Sequence, residues 1–88
     1  RIARDIIAGE GYGQFFGHGL GHSLGIDVHE DPRLSPVSQA KLEIDLVITV
    51  EPGIYVPGLG GVRIENSCVI TDTAARSLVS APRELIIL

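Results

Sequence analysis

The chain has 88 residues, 44% hydrophobic and 20% charged, which bounds it to one small domain near the size where a single core only just suffices. Seven basic against 11 acidic residues give a net charge of -4, with no basic stripe to hold a phosphate backbone, so nucleic acid is excluded as a partner. No apolar run reaches membrane-spanning length and nothing resembles a signal peptide, so no membrane partner is expected.

The first element is read from Arg1 to Ala8, where Ile2, Ala3, Ile6 and Ile7 have helical spacing and Gly9 and Gly11 follow as stops; this predicts the end of an amphipathic helix. No Met precedes Arg1, so truncation is expected. Gly9 to Gly25 holds seven of the chain's 11 glycines, which argues for loop or glycine-rich strand where backbones approach closely. Pro32 and Pro36 predict a polar loop, and a short segment around Gln39 to Ile44 stays undecided. Leu46 to Val50 is a β-branched run stopped by Glu51-Pro52-Gly53, and Ile54 to Val56 is expected to extend the sheet beyond that corner. Pro57 to Gly61 reads as a turn, Gly61 to Thr71 as another strand, and Leu85 to Leu88 as an apolar tail. With aromatics at 5% and neither Trp nor Met, the core must come from Ile, Leu, Val and Ala. The fold class is α+β, with an antiparallel-leaning sheet and a flanking helix. The lone Cys68 cannot form an internal disulfide and suits a reducing compartment, so a cytoplasmic location is expected.

Three groups of residues fit a bland core poorly. All three histidines, His18, His22 and His29, fall in one glycine-rich stretch. In extended chain His18 and His22 share a face, while His29, at odd separation, needs a bend or bulge to join them; Gly25 could supply it. Glu51 ends an apolar run, and Pro52 holds it extended: either an edge glutamate reaching water or a carboxylate presented at a strand terminus. In Val62-Arg63-Ile64-Glu65 the charged residues alternate with apolar ones, so Arg63 and Glu65 either form a weak exposed pair or line a polar cleft. One imidazole and two carboxylates on short strands make a mixed nitrogen and oxygen set suited to Mn²⁺, Zn²⁺ or Co²⁺.

The order of these motifs carries a resemblance. Gly17-His18-Gly19-Leu20-Gly21-His22-Ser23-Leu24-Gly25, Asp27-Val28-His29-Glu30, Thr49-Val50-Glu51-Pro52-Gly53-Ile54-Tyr55 and Gly61-Val62-Arg63-Ile64-Glu65 resemble the pita-bread metallopeptidases of the aminopeptidase P and prolidase kind. The resemblance covers nearly the whole chain, and residues 1–88 match the C-terminal portion of the catalytic domain, a curved, antiparallel-leaning half of that fold. It implies a dinuclear-metal exopeptidase acting on N-terminal Xaa-Pro or related short peptides. By position, His22, Glu51 and Glu65 match metal ligands, with Glu65 bridging and Glu51 also the general base. His29 matches an imidazole that stabilises the tetrahedral intermediate, His18 a histidine beside the substrate, and Arg63 an arginine next to the bridging carboxylate.

Two departures stand out. Where the family continues from Leu-Glu into Pro-Gly, this chain has Leu42-Glu43-Ile44-Asp45, which removes a turn-forming pair, although Asp can also turn. Asn66 follows Glu65 where the family often has Asp. The two aspartate ligands that the resemblance implies lie upstream of the histidine motif and have no match here. Two metal ions are therefore expected in the complete enzyme, one or none in this chain, and no appreciable activity from it alone. The alternative is a non-peptidase relative on the same fold, creatinase-like or a pseudo-enzyme that binds partners, and an independent small module is the third reading. A homo-oligomer is expected, with strand exchange in the isolated chain, because a half-fold leaves apolar surface and a sheet edge uncovered.

Overall fold

The computed structural model describes residues 1–39 and 41–88. The chain opens with α1 (Ile2–Gly9), followed by a 3-10 turn (Gly13–Phe15). Among the described residues seven strands follow: β1 (Gly21–Ser23), β2 (Glu30–Leu34), β3 (Val47–Val50), β4 (Gly53–Val56), β5 (Gly60–Arg63), β6 (Asn66–Ile70) and β7 (Ala75–Ser77). Among the described residues they make a five-stranded antiparallel sheet, in the order β2-β1-β3-β6-β7, and a separate β4-β5 hairpin.

The centre of the sheet is β3. Ile48 and Thr49 point to opposite faces and both are almost fully buried, at 2% and 1% exposure, so this strand is covered on both sides. Ile48 packs with Cys68 and Ile70 across β6, with Leu34, Leu46 and Val50 around them. On the other face Thr49 Oγ1 accepts the His22 backbone N–H at 3.1 Å. Gly21 lets β1 lie directly on β3: a Cβ there would run into the Thr49 carbonyl. The sequence therefore places a glycine where the strand carrying His22 meets the central one.

The helix and the β-branched run lie where expected, and the Gly9 to Gly25 stretch is mostly irregular, with β1 as its one strand. Three readings need correction, and one strand was not expected. Pro32 lies inside β2, not in a loop; β2 is an edge strand, and the register skips from His22↔Arg33 to Ser23↔Glu30, so Asp31 and Pro32 fall in a bulge where no ladder N–H is needed. Ile54 to Val56 does not extend the main sheet but pairs with β5, because the chain turns at Pro52. Gly61 to Thr71 is two strands, interrupted at Ile64 and Glu65. β7 was not foreseen, since Ala75-Arg76-Ser77 carries no alternation of apolar and polar residues. The undecided segment 39–44 has no regular element among its described residues, and Ala40 lies outside them.

At the departure from Pro-Gly, Asp45 takes φ 70, the left-handed region that Asp tolerates better than most residues. Its N–H donates to the Ile70 carbonyl at 2.7 Å, and the Leu46 N–H donates to Glu43 at 3.3 Å. The turn into β3 thus survives. In the hairpin, Gly58 and Gly60 take φ 79 and 143, backbone that a side chain would strain, which is why the link between β4 and β5 is glycine-rich.

The accessible surface is 6826 Å² for 9.4 kDa. A self-sufficient folded monomer of that mass exposes about 5,000 Å². Much of the excess is apolar: Ile6, Val62 and Ile64 are all exposed and, with Ile7, Tyr12 and Ile54, line a groove between α1 and the hairpin.

Candidate metal centre

Three elements deliver three donors to one point. His22 sits on β1, Glu51 directly follows β3, and Glu65 occupies the break between β5 and β6. One ligand atom from each lies within 4.8 Å of the others. Glu51 is fixed by its own backbone, whose N–H donates to the Leu20 carbonyl at 2.6 Å, and by Pro52, whose carbonyl in turn accepts from Ile64 at 3.2 Å. These bonds tie the Glu51 corner both to the histidine strand and to the segment carrying Glu65.

The donor set fits a divalent cation. His22 Nδ1 lies 3.0 Å from the Ser23 carbonyl, and a carbonyl only accepts, so the proton sits on Nδ1 and the Nε2 lone pair faces the site. Nε2 is 3.8 Å from Glu51 Oε2, longer than a hydrogen bond and suited to two atoms that face a common centre. Glu65 has its carboxyl held above the usual carboxylate range, first by a hydrogen bond with Glu51, then by burial and by the Glu51 charge. The charges of His22 and Arg63 act weakly in the opposite sense. Two carboxylates this close repel one another as anions, and a cation between them would relieve that repulsion.

His29 joins the site through the irregular segment after β1. Its ring lies against His22, centroids 4.3 Å apart. The bend that this requires is closed by Glu30, whose carboxylate accepts the Asp27 N–H at 3.0 Å and packs directly on Gly25.

His18 does not share a face with His22. The segment before Gly21 is not a strand, and the His18 ring turns instead toward Phe16 and Tyr55, at centroid distances of 5.1 and 6.0 Å. His18, Tyr55, Phe15 and Pro57 line a cleft of about 590 Å³. His18 Nδ1 is 2.7 Å from the Gly19 carbonyl, while Nε2 is buried without a partner among the described residues, against Gly53. Arg63 forms no ion pair with Glu65 among the described residues; its guanidinium lies 5.6 Å from the Tyr55 ring centroid.

Sequence reasoning assigned no part to Tyr55, Thr49 or Arg4. Tyr55 had a signal, as one of only two tyrosines and within the Glu51 motif. Arg4 had none.

The profile of Metallopeptidase family M24 matches residues 1–72. The chain belongs to metallopeptidase family M24. It is 56% identical over 87 residues to an uncharacterized peptidase, YqhT, of Bacillus subtilis, covering 99% of this chain and 25% of that one. Among solved structures, the prolidase of Pyrococcus horikoshii superposes with a TM-score of 0.92 at 52% identity, covering 97% of this chain and 24% of that one. The X-Pro aminopeptidase of Thermotoga maritima superposes at 0.93 with 42% identity, over 99% and 25%. The chain thus spans about a quarter of the length of the relatives it matches. These M24 structures bear out the pita-bread, α+β reading of the fold.

Proposed function

We propose that residues 1–88 form the C-terminal portion of the catalytic domain of a dinuclear-metal exopeptidase that hydrolyses Xaa-Pro or related short peptides. The observation that carries this is the convergence of His22, Glu51 and Glu65 from three separate elements, with the His22 tautomer already set for ligation. Similarity to proteins named prolidase and X-Pro aminopeptidase supports the substrate class.

His22 Nε2, Glu51 and Glu65 would hold the metal, with Glu65 the most exposed of the three. Bound divalent cations supply an activated water near neutral pH and polarise the peptide carbonyl. Glu51 accepts the proton of the attacking water and passes it to the leaving amine. His29, beside His22, donates a hydrogen bond where negative charge develops on the carbonyl oxygen. The cleft of Phe15, His18, Tyr55 and Pro57 is apolar enough to receive a proline ring. Arg63 supplies positive charge near Glu65 and steadies Tyr55.

The donor mixture suits Mn²⁺, Zn²⁺ or Co²⁺. Three ligands hold one ion weakly, so the second ion requires carboxylates from outside these residues, and the isolated chain is inert. The buried thiol of Cys68 fits a cytoplasmic setting, and the uncovered apolar groove favours self-association.

The test compares the complete polypeptide that carries these residues with residues 1–88 alone, on Ala-Pro with added Mn²⁺. The complete protein should cleave, and Glu51→Gln should lower its kcat by about 10²–10⁴. Cleavage by the 88-residue chain that Glu51→Gln abolishes would overturn the partition of ligands; an inactive complete protein, correctly loaded with metal, would overturn the peptidase reading.

A further inference from the structure

His18 stands between two glycines, Gly17 and Gly19, so its backbone has unusual freedom in isolation. Its ring orientation follows that backbone directly, because Nδ1–H donates to the carbonyl of the next residue, Gly19, at 2.7 Å. Something outside the segment must therefore hold it. That group is Arg4, on α1. Its Nη1 donates to the Phe16 carbonyl at 2.7 Å and its Nη2 to the His18 carbonyl at 3.3 Å, which brackets Gly17. The guanidinium also lies 4.4 Å over the Phe16 ring, itself 3% exposed and in edge contact with His18.

We propose that Arg4 is a positioning residue: it clamps the Phe16–His18 backbone from α1, and so sets how His18 is presented to the cleft beside Tyr55. The inference rests on the reading of that cleft as the site of the proline ring. A plain strut between helix and loop would need one contact. Arg4 makes three, to the carbonyls on either side of a glycine and to the ring that His18 touches. A planar fork can serve both carbonyls and stack on Phe16 together, whereas the compact ammonium of lysine cannot. Helix α1 has no fully buried residue; the Tyr12 N–H donates to Ile7 and Ala8 packs on Gly13, but the side-chain hydrogen bonds that reach Phe16 and His18 come from Arg4.

The experiment uses the complete, metal-loaded polypeptide with Arg4→Met and Arg4→Lys. The first readout is the side-chain ¹H–¹⁵N spectrum of the histidines. The wild type should show His18 as one tautomer, protonated on Nδ1, and both variants should show averaging at His18 with His22 and His29 unchanged. The second readout is steady-state cleavage of Ala-Pro against Ala-Ala. Both variants should raise KM for Ala-Pro about tenfold, the scale of one lost hydrogen bond to a charged group, with kcat and metal content little changed. If Arg4→Met does not fold, Arg4→Lys keeps the charge and decides the question. Variants that only melt earlier, with the His18 signals and the preference for proline intact, would overturn the proposal and leave Arg4 a strut. A wild type inactive on every Xaa-Pro peptide would instead sink the functional reading, and the tautomer signals would still decide the Arg4 clamp.

Discussion

Replacing Gly21 with alanine should damage both the sheet and the metal centre. The added methyl would overlap the Thr49 carbonyl oxygen and stand about 3.0 Å from Thr49 Oγ1. Because the obstruction is backbone of the central strand, no side chain can swing away, and β1 must move off β3. The bonds nearest that seam are His22 N–H to Thr49 Oγ1 at 3.1 Å and Glu51 N–H to Leu20 at 2.6 Å. Losing both costs about 1–3 kcal/mol, and overpacking a tight site adds a comparable amount, so about 2–5 kcal/mol in all is expected. For a chain of this size each 1 kcal/mol moves the midpoint by roughly 4–8 °C, so the melting temperature should fall by about 10 °C or more. Apparent metal affinity should fall as well, since His22 and Glu51 lie on the two sides of the seam. Thermal unfolding followed by circular dichroism, with and without Mn²⁺, measures both effects. Gly17→Ala is the control, because a methyl there meets nothing within 4 Å. A Gly21→Ala protein that melts within about 2 °C of the wild type, and binds metal unchanged, would refute the close-approach argument.

Stability should also depend on pH through Glu65 when metal is removed. Its folded pKa is raised, first by the hydrogen bond with Glu51, so its contribution is fully present below the ordinary carboxylate pKa and is lost as pH rises through the folded value. In EDTA the midpoint should therefore fall over that window; Glu65→Gln should flatten the fall, and an unchanged slope in that variant would count against Glu65 as its source. For the isolated 88-residue chain, sizing should show concentration-dependent association through the apolar groove that Ile6, Val62 and Ile64 line. A monodisperse monomer would contradict that.

Some of this geometry was readable from the residues and some was not. Glu51 was legible because a β-branched run and a following proline leave a carboxylate little choice but a strand end. Asp45 was legible as a turn former for a similar local reason, and its positive φ bears that out. Glu65 was singled out by its charge in an alternating run, but alternation ran a single strand through it; the Ile64 N–H still donates to Pro52 in the register of the hairpin, Pro52 has no N–H to return, and the chain leaves β5 there before β6 begins. The meeting of His29 with His22 depends on a register skip opposite Pro32, which joins residues far enough apart that no local pattern records it. The parity argument that paired His18 with His22 failed because only Gly21–Ser23 is extended. Arg4 and Tyr55 act across long separations, through a side chain reaching carbonyls and a ring facing a ring, and neither has a periodic signature.

The three donors are spread over half the chain, and each arrives on a different element. A cation at that point is therefore a crosslink between segments that share little covalent constraint, and it can form only after β1, β3 and the β5–β6 break have met. Binding to the assembled chain alone adds about 2.7 kcal/mol at a hundredfold excess of metal over its dissociation constant. With so small a core, that is a substantial part of what a domain of this size can muster. Metal uptake would then double as a proofreading step: a chain that has mispaired its strands would offer no such cluster, and so would forgo the stabilisation that correctly paired copies receive.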